Sequence, residues 1–274
     1  MIRFSEFITE KLITFGGRAY PKFGQVVILA GGAGSGKGFQ SSALLGIDGK
    51  VFDVDELKKL AINSVKFAQR IKQETGQDIK QFDLKVPENV SKMHEILADV
   101  YNLPNRQQSP FYASVLTAPQ DRKPNIIFDV TLKDMKKLES ITRNVAELGY
   151  LKENIHIVWV VNHIDVAIEQ NRGRDRVVPE EILMDTHQGA AITMKNILSI
   201  GDKLKKYMDG DIWLTFNQVN IDTKLKKSEF GGSYVEKADY IKVKSRGKAQ
   251  TPPQNLGDKL YNKIKDYVPT VDSW

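Results

Sequence analysis

The glycine-rich stretch VVILAGGAGSGKGFQ, residues 26–40, carries the clearest chemical signal in the chain. Its apolar half reads as a buried strand, and the following Gly31 to Lys37 satisfies G-x-x-x-x-G-K directly after that strand. Glycines let successive N–H groups point at one anion, and the lysine adds positive charge between the β- and γ-phosphates. The stretch therefore predicts an ATP-binding loop, whereas a glycine-rich turn without a ligand is the alternative. The predicted contacts come from Gly31, Gly32, Ala33, Gly34, Ser35, Gly36, Lys37, Gly38 and Phe39.

The position after Lys37 is Gly38, where such loops usually carry a hydroxyl that contacts magnesium. The loop resembles that of adenylate kinase, which also has glycine after its lysine. Phosphoryl transfer tolerates this arrangement when carboxylates hold the metal through water. Asp53 and Asp129, each at the end of a predicted strand, are the candidate ligands of Mg²⁺.

A second carboxylate, Asp55, follows in VFDVDELKK. A strand-end carboxylate beside a phosphate loop is well placed to accept a proton from an attacking hydroxyl. Aspartate also caps helices, so Asp55 as the cap of the next helix is the alternative. Position next to the loop favours the catalytic interpretation.

Two further stretches offer groups for substrate and for the transferred phosphate. NIIFDVTLKD places Thr131 and Lys133 just beyond a strand, where they are candidate substrate contacts. NRGRDRVVP carries Arg172, Arg174 and Arg176 at alternate positions. Guanidinium forks match phosphate oxygens and offset charge in a phosphoryl-transfer transition state. A solvated run of charges is the alternative for the arginines.

These groups need strands that end at one edge of a sheet. Apolar runs separated by helical patterns predict an α/β fold, with a parallel sheet of about five strands covered by helices on both faces. Ligands of such sheets bind at the carboxyl ends of the strands. The predicted strands are residues 26–30, 50–55, 125–131, 155–161 and 213–219, and the predicted helices follow the glycine loop and span residues 56–75, 88–101, 134–148 and 179–207.

The same patterns divide the chain into three parts. We expect a leader helix over residues 1–22, a P-loop kinase domain over residues 23–219, and a loosely packed basic extension with a terminal helix over residues 220–274. Residues 103–123 contain three prolines and little periodicity, which predicts a surface loop.

Taken in order, the glycine loop, FDVDELKK, IIFDVT and NRGRDRVVP resemble the zeta-toxin family of kinases over roughly residues 24–200. The resemblance implies a P-loop kinase fold and transfer of the ATP γ-phosphate to a sugar hydroxyl of a UDP-activated amino sugar. It also implies that Lys37 is the phosphate-loop lysine, Asp55 the residue that deprotonates substrate, and Arg176, with Arg172 second, the phosphate-stabilising arginines. The chain departs from the family at Gly38 and at Asp129, where the family has glutamate.

Composition restricts the remaining function classes. The chain has no cysteine, so disulfides and thiolate chemistry are excluded, and its longest apolar runs are too short for a membrane helix. Residues 201–274 hold 14 Lys and Arg against 10 Asp and Glu, which is +4 of the total charge of +6. Such a positive excess could attract nucleic acid, but lysines on solvated faces are the commoner cause of it. Nucleic acid is therefore a possible but less favoured partner. An antitoxin-like protein partner stays open.

The first ten residues, MIRFSEFITE, resemble short leaders on proteins of large tailed phages, although an amphipathic first helix explains them more simply. The prediction is a cytoplasmic protein, in the host cytoplasm or the virion if phage-encoded. The sequence thus favours an ATP- and Mg²⁺-dependent kinase for a small nucleotide-linked sugar or related metabolite. A nucleotide or polynucleotide kinase, and a non-catalytic nucleotide-binding or virion-associated structural protein, stay open.

Overall fold

A seven-stranded mixed sheet forms the centre of the molecule, with strand order β2-β3-β1-β4-β5-β7-β6. The computed structural model describes residues 13–227 and 233–269. The first five strands along the chain are parallel, and β7 and β6 continue the sheet in antiparallel pairing. The strands are β1 (Val26–Ala30), β2 (Lys50–Asp53), β3 (Ile126–Asp129), β4 (Ile155–Val161), β5 (Ile212–Phe216), β6 (Thr223–Lys227) and β7 (Ser233–Lys244).

The central strands are buried on both faces, as their near-continuous apolar sequences require. Alternate residues of β1 enter two different cores: Val26 and Ile28 belong to one, and Val27 and Leu29 to the other. The α/β fold with helices around the sheet confirms the predicted fold class, with seven strands rather than about five. The helices are α1 (Lys37–Ala43), α2 (Val54–Asn63), α3 (Val65–Thr75), α4 (Pro87–His94), α5 (Leu103–Thr117), α6 (Met135–Glu147), α7 (Ile164–Arg172), α8 (Glu180–Ser199) and α9 (Asp258–Tyr267).

The helix α5 replaces the surface loop that was predicted before β3, so that prediction was wrong. Pro104 fits the first turn, where a missing N–H costs nothing. Val115 is fully buried, and Phe111 and Tyr112 place their rings 5.5 and 5.9 Å from that of Phe52. Packing of these apolar residues on the sheet outweighs the weak helical periodicity of the segment.

The C-terminal segment is part of the sheet and not a loosely packed extension. The C-terminal half of β7 pairs with β5 and its N-terminal half with β6, and Val243 and Ile264 are buried in the same core as β1. The boundary predicted at residue 219 therefore falls within one continuous sheet. Alternating apolar and charged residues in SYVEKADYIKVK are typical of a strand with one covered face. A helix, α9, occupies the position of the expected terminal helix.

The predicted leader helix over residues 1–22 lies partly outside the described residues, as does its likeness to phage leaders. In the described part, residues 13–22, no helix forms. Ile13 and Phe15 are buried against the second core, and the Ile13 N–H donates to the Leu44 carbonyl. Gly16 and Gly17 have φ angles of 59° and 75°, which reverse the chain immediately afterwards. Within the described ranges no helix is long and apolar enough to cross a bilayer.

Candidate functional site

The glycine-rich loop connects β1 to α1 at the carboxyl edge of the parallel strands. Gly34 and Gly36 adopt φ angles of 75° and 90°, a region open mainly to glycine. A Cβ on Gly34 would lie 2.5 Å from the Ala167 carbonyl oxygen, and one on Gly36 would overlap the Asn217 side chain. The loop conformation therefore depends on glycine at both positions, for backbone angle and for space.

Lys37 is the first residue of α1 and turns back over the loop. Its ammonium group donates to the carbonyls of Gly31 (2.8 Å) and Gly32 (3.2 Å) and lies 3.7 Å from Asp129 Oδ1. Its side chain is 15% exposed. A partly buried positive charge thus stands at the mouth of the loop, where phosphate oxygens would meet it.

Asp53 and Asp129 end the neighbouring strands β2 and β3 and are direct partners in the parallel register. The predicted pair of strand-end carboxylates is thus adjacent, and one member lies next to Lys37. Magnesium usually takes one or two carboxylates together with substrate phosphates and water. The pair fits a magnesium ion that shares its ligands with a nucleotide. In the described part of the chain no three His, Asp or Glu residues are grouped to hold a metal by themselves.

The missing hydroxyl at position 38 has no steric cause. A Cβ on Gly38 would meet no atom within 4 Å, so serine or threonine would fit there. The neighbouring Phe39 is partly exposed on α1. The strand-end residues Asp53 and Asp129 thus stay the candidate protein ligands of a metal at this site.

A cavity of about 490 Å³ lies next to this edge, lined by β2, α2 and the turn between α7 and α8. Its charged lining residues are Asp53, Lys59, Arg174, Asp175 and Arg176. Because Asp53 is paired in register with Asp129, the cavity adjoins the phosphate loop through the two carboxylates. Three cationic side chains and two carboxylates suit a polar, anionic molecule.

The three arginines of NRGRDRVVP have different surroundings. Arg176 is 6% exposed and lines the cavity, together with the Arg174 side chain. Arg172 instead ends α7 and pairs with Glu180 at the surface, where its side chain is 66% exposed. The structure therefore brings Arg174 and Arg176 to the cavity and leaves Arg172 outside it.

The other predicted site residues, Asp55, Thr131 and Lys133, also have different surroundings. α2 begins at Val54, so Asp55 is in its first turn, and the Asp55 side chain lies outside the described part of the structure. Thr131 contributes its carbonyl to the Gly31 N–H (3.3 Å). Lys133 pairs with Asp185 of α8 (3.0 Å) on the surface and is not among the residues that line the cavity.

Two residues of α8 that were absent from the predicted site hold the phosphate loop. Thr186 Oγ1 accepts from the Ala33 N–H (3.2 Å), and His187 Nε2 donates to the Ala33 carbonyl (2.7 Å). Burial, with a smaller contribution from Lys37, lowers the pKa of His187 to about 4, so the ring is neutral near pH 7. Lys59, which lines the cavity, was also absent from the predicted site. Nothing in the local sequence links α8 to a loop 150 residues earlier.

Comparison with known proteins gives only distant likenesses. No protein-family model matches the chain, and no curated protein sequence matches it. A chain of the AvrRxo1-ORF1:AvrRxo1-ORF2 complex with sulphate ions aligns over 91% of this chain and 66% of its own, with 14% identity and a TM-score of 0.49. The same complex with ATP aligns with 11% identity and a TM-score of 0.46. This chain thus spans just under two thirds of the length of those chains.

A third solved structure comes from the PezAT chromosomal toxin–antitoxin system of Streptococcus pneumoniae. It aligns over 72% of this chain and 69% of its own, with 11% identity and a TM-score of 0.41.

Proposed function

We propose that this protein is an ATP-dependent kinase that transfers the γ-phosphoryl group to a hydroxyl of a small anionic metabolite. The proposal rests on one observation: the glycine loop, the pair of strand-end aspartates and the cavity adjoin one another at one edge of the sheet. Lys37 of the glycine loop lies 3.7 Å from Asp129, Asp129 is paired with Asp53, and Asp53 lines the cavity that also contains Arg176. A phosphate donor and a hydroxyl acceptor can thus be bound side by side.

The loop binds the ATP phosphates through its N–H groups and Lys37, in the manner of other phosphate-cradling loops. Asp53 and Asp129 would hold Mg²⁺, which, when bound, neutralises charge on the phosphate oxygens. Asp129 also attracts the Lys37 ammonium group, which lies 3.7 Å from its Oδ1. ATP is therefore the proposed donor, with Mg²⁺ as the accompanying ion.

In the transfer step the acceptor oxygen forms a bond to the γ-phosphorus, and the bond to the bridging oxygen breaks to release ADP. The proton of the hydroxyl passes to a carboxylate, for which we propose Asp55 in the first turn of α2. Arg176, with Arg174 beside it, offsets the charge that develops on the transferring group. Arg172 has no part in this proposal because it pairs with Glu180 outside the cavity.

The acceptor class rests on the resemblance of the motifs to zeta toxins, which indicates a nucleotide-linked sugar or a related metabolite. Thr131 and Lys133, which follow β3, are the further substrate contacts that we propose from their position in the chain. Lys133 would have to leave Asp185 to serve in that way. A protein partner of antitoxin type belongs to the same proposal.

One observation favours a second candidate, a nucleotide or polynucleotide kinase. The sheet ends in β6, whose exposed Lys224, Lys226 and Lys227 form a basic edge. Such an edge attracts nucleic acid by releasing counterions, and the attraction weakens steeply with salt. Lysines are also the usual protection of an exposed edge strand, which is why we place this candidate second.

The experiment that tests the proposal uses ATP labelled at the γ-phosphate and pooled metabolites and nucleic acids. Label on a small metabolite supports the first candidate, and label on a nucleotide or polynucleotide supports the second. ATP binding without label on any acceptor contradicts both and supports a non-catalytic nucleotide-binding protein.

The roles of the two aspartates are then separated by variants. Asp55→Asn should keep ATP affinity and thermal stability while transfer collapses, because asparagine retains the shape and caps helices about as well. Asp53→Asn should recover part of its activity as Mg²⁺ is raised. Full activity of Asp55→Asn, or equal rescue of both variants by Mg²⁺, would contradict these assignments.

A further inference from the structure

Asn217 follows β5 at the same sheet edge and is 3% exposed. Its side-chain amide makes two contacts with the segment that runs from the phosphate loop into α1. The amide nitrogen donates to the Ser35 carbonyl (2.9 Å), and the amide oxygen accepts from Gln40 Nε2 (3.0 Å). Neither Asn217 nor Gln40 has a role in the transfer chemistry proposed above.

The bond to the Ser35 carbonyl fixes the direction of an N–H group. The peptide between Ser35 and Gly36 is planar and trans, so its C=O and N–H point in opposite directions. With the carbonyl held on the Asn217 side, the planar trans peptide directs the Gly36 N–H away from Asn217. This N–H belongs to the group that cradles phosphates in loops of this type.

The bond to Gln40 connects the same amide to the first turns of α1. Gln40 is fully buried, and its backbone N–H donates to the Gly36 carbonyl (3.0 Å). Asn217 therefore holds the loop at Ser35 and the helix at Gln40 with one rigid group. The approach is so close that a Cβ on Gly36 would overlap the Asn217 side chain.

Asn217 itself has little freedom to move. Its backbone N–H donates to the Val161 carbonyl (2.9 Å), which ties it to β4, and Thr223 Oγ1 lies 3.4 Å from its amide oxygen. The amide is thus anchored in the sheet while it supports the loop. The Asn217 amide can therefore fix the conformation of the phosphate loop without itself contacting a bound anion.

We infer that Asn217 is a positioning residue that orients the phosphate loop for polyphosphate binding. The inference rests on the proposed function, because it assigns the loop to the phosphates of ATP. Loss of the amide removes the hydrogen-bond donor of the Ser35 carbonyl and the acceptor of Gln40 Nε2. The loop then no longer holds the conformation that binds phosphates, and we expect the affinity for polyphosphate to fall about tenfold or more.

The test measures binding of pyrophosphate and of ATP to the full chain by calorimetry, independently of any acceptor. Asn217→Ala and Asn217→Asp should both bind pyrophosphate about tenfold or more weakly than the parent. Asn217→Asp should be the weaker binder of the two, because it presents an anionic oxygen to the Ser35 carbonyl and to the bound anion.

Gln218→Ala is the matched control. Gln218 is the next residue along the chain, and its side chain bonds to Tyr267 and not to the phosphate loop. Its loss should lower the melting temperature without weakening pyrophosphate binding. If Asn217→Ala does not fold, Gln40→Met breaks the same amide pair from the helix side and should weaken pyrophosphate binding several-fold.

The outcomes separate the inference from the proposed function. Absence of ATP and pyrophosphate binding in the folded parent protein would overturn both. Normal binding by the parent together with unchanged affinity in the folded Asn217 variants would overturn the positioning role alone. An equal loss of affinity in Gln218→Ala would do the same, since it would show that any damage to this turn weakens the site.

Discussion

Replacing Gly32 by alanine tests whether α8 packs against the phosphate loop as described. A Cβ on Gly32 would lie 2.5 Å from His187 Nε2, with two other ring atoms closer still. The ring is 5% exposed, so it cannot swing into solvent without leaving its pocket. Its hydrogen bond to the Ala33 carbonyl would break at the same time.

The magnitude follows from these two losses. Overpacking a buried site costs about 1–3 kcal/mol, and a buried carbonyl left without its donor costs about 1–3 kcal/mol. Because the ring movement that relieves the overlap also breaks the bond, the costs overlap, and we expect Gly32→Ala to lower the free energy of unfolding by roughly 2–4 kcal/mol. Denaturation in urea, with ATP affinity measured in parallel, gives both readouts.

A matched control and a double variant make the assignment specific. Gly38→Ala lies six residues away in α1, where a Cβ meets nothing within 4 Å, so it should be neutral or stabilising by up to about 1 kcal/mol. His187→Ala removes the ring, and adding Gly32→Ala to it should then cost little. The described packing of His187 against Gly32 would be contradicted if Gly32→Ala were as stable as the parent. It would also be contradicted if the loss of unfolding free energy in the double variant equalled the sum of the two single losses.

Three further predictions concern the site and its pH dependence. Lys37→Ala should remove nearly all phosphoryl transfer and leave the protein folded, because the partly exposed ammonium balances the charge of bound phosphates and does not pack in the core. Circular dichroism and turnover measurements check this, and near-normal turnover in a folded variant would contradict the kinase proposal. Arg176→Ala should reduce turnover by about 10² or more with a smaller effect on ATP affinity, since its charge matters most during transfer; an unchanged rate would mean a purely structural arginine. His187 has a folded-state pKa lowered from 6.5 to about 4, so below pH 6.5 the unfolded chain binds a proton that the folded protein does not. Stability should fall by roughly 3 kcal/mol from this group as pH drops from 6.5 to 4, and His187→Gln should flatten the slope of unfolding free energy against pH; an identical slope in the variant would refute it.

The parts of the fold that could be predicted are those that local sequence determines. The run VVILA and the glycines after it define β1 and the loop without any distant contact. The register of Asp53 and Asp129 follows from two similar strand ends in a parallel sheet. Their positions at the ends of the two strands were therefore sufficient to predict that the two carboxylates lie at the same edge of the sheet.

The parts that could not be predicted depend on distant partners. Arg172 and Arg176 lie in one short charged run, and only the turn after α7 decides that one pairs with Glu180 and the other is buried. His187 contacts a loop more than 150 residues earlier, and its helix gives no sign of this. Asn217 could have been noticed, because it is a polar residue at the end of a buried strand, as Asp53 and Asp129 are.

The incorporation of the C-terminal strand and helix into the main core has a consequence for biosynthesis. Val26 and Ile264 belong to one hydrophobic cluster, so the first strand and the last helix complete the same core. During translation the chain emerges from its N-terminus, and until α9 has been made the apolar face that it covers stays open. Contacts across such a separation form slowly, and open strands are prone to aggregation while they wait. A ribosome that stalls before residue 258 would therefore leave a nascent chain that already carries its complete phosphate loop but cannot close its core.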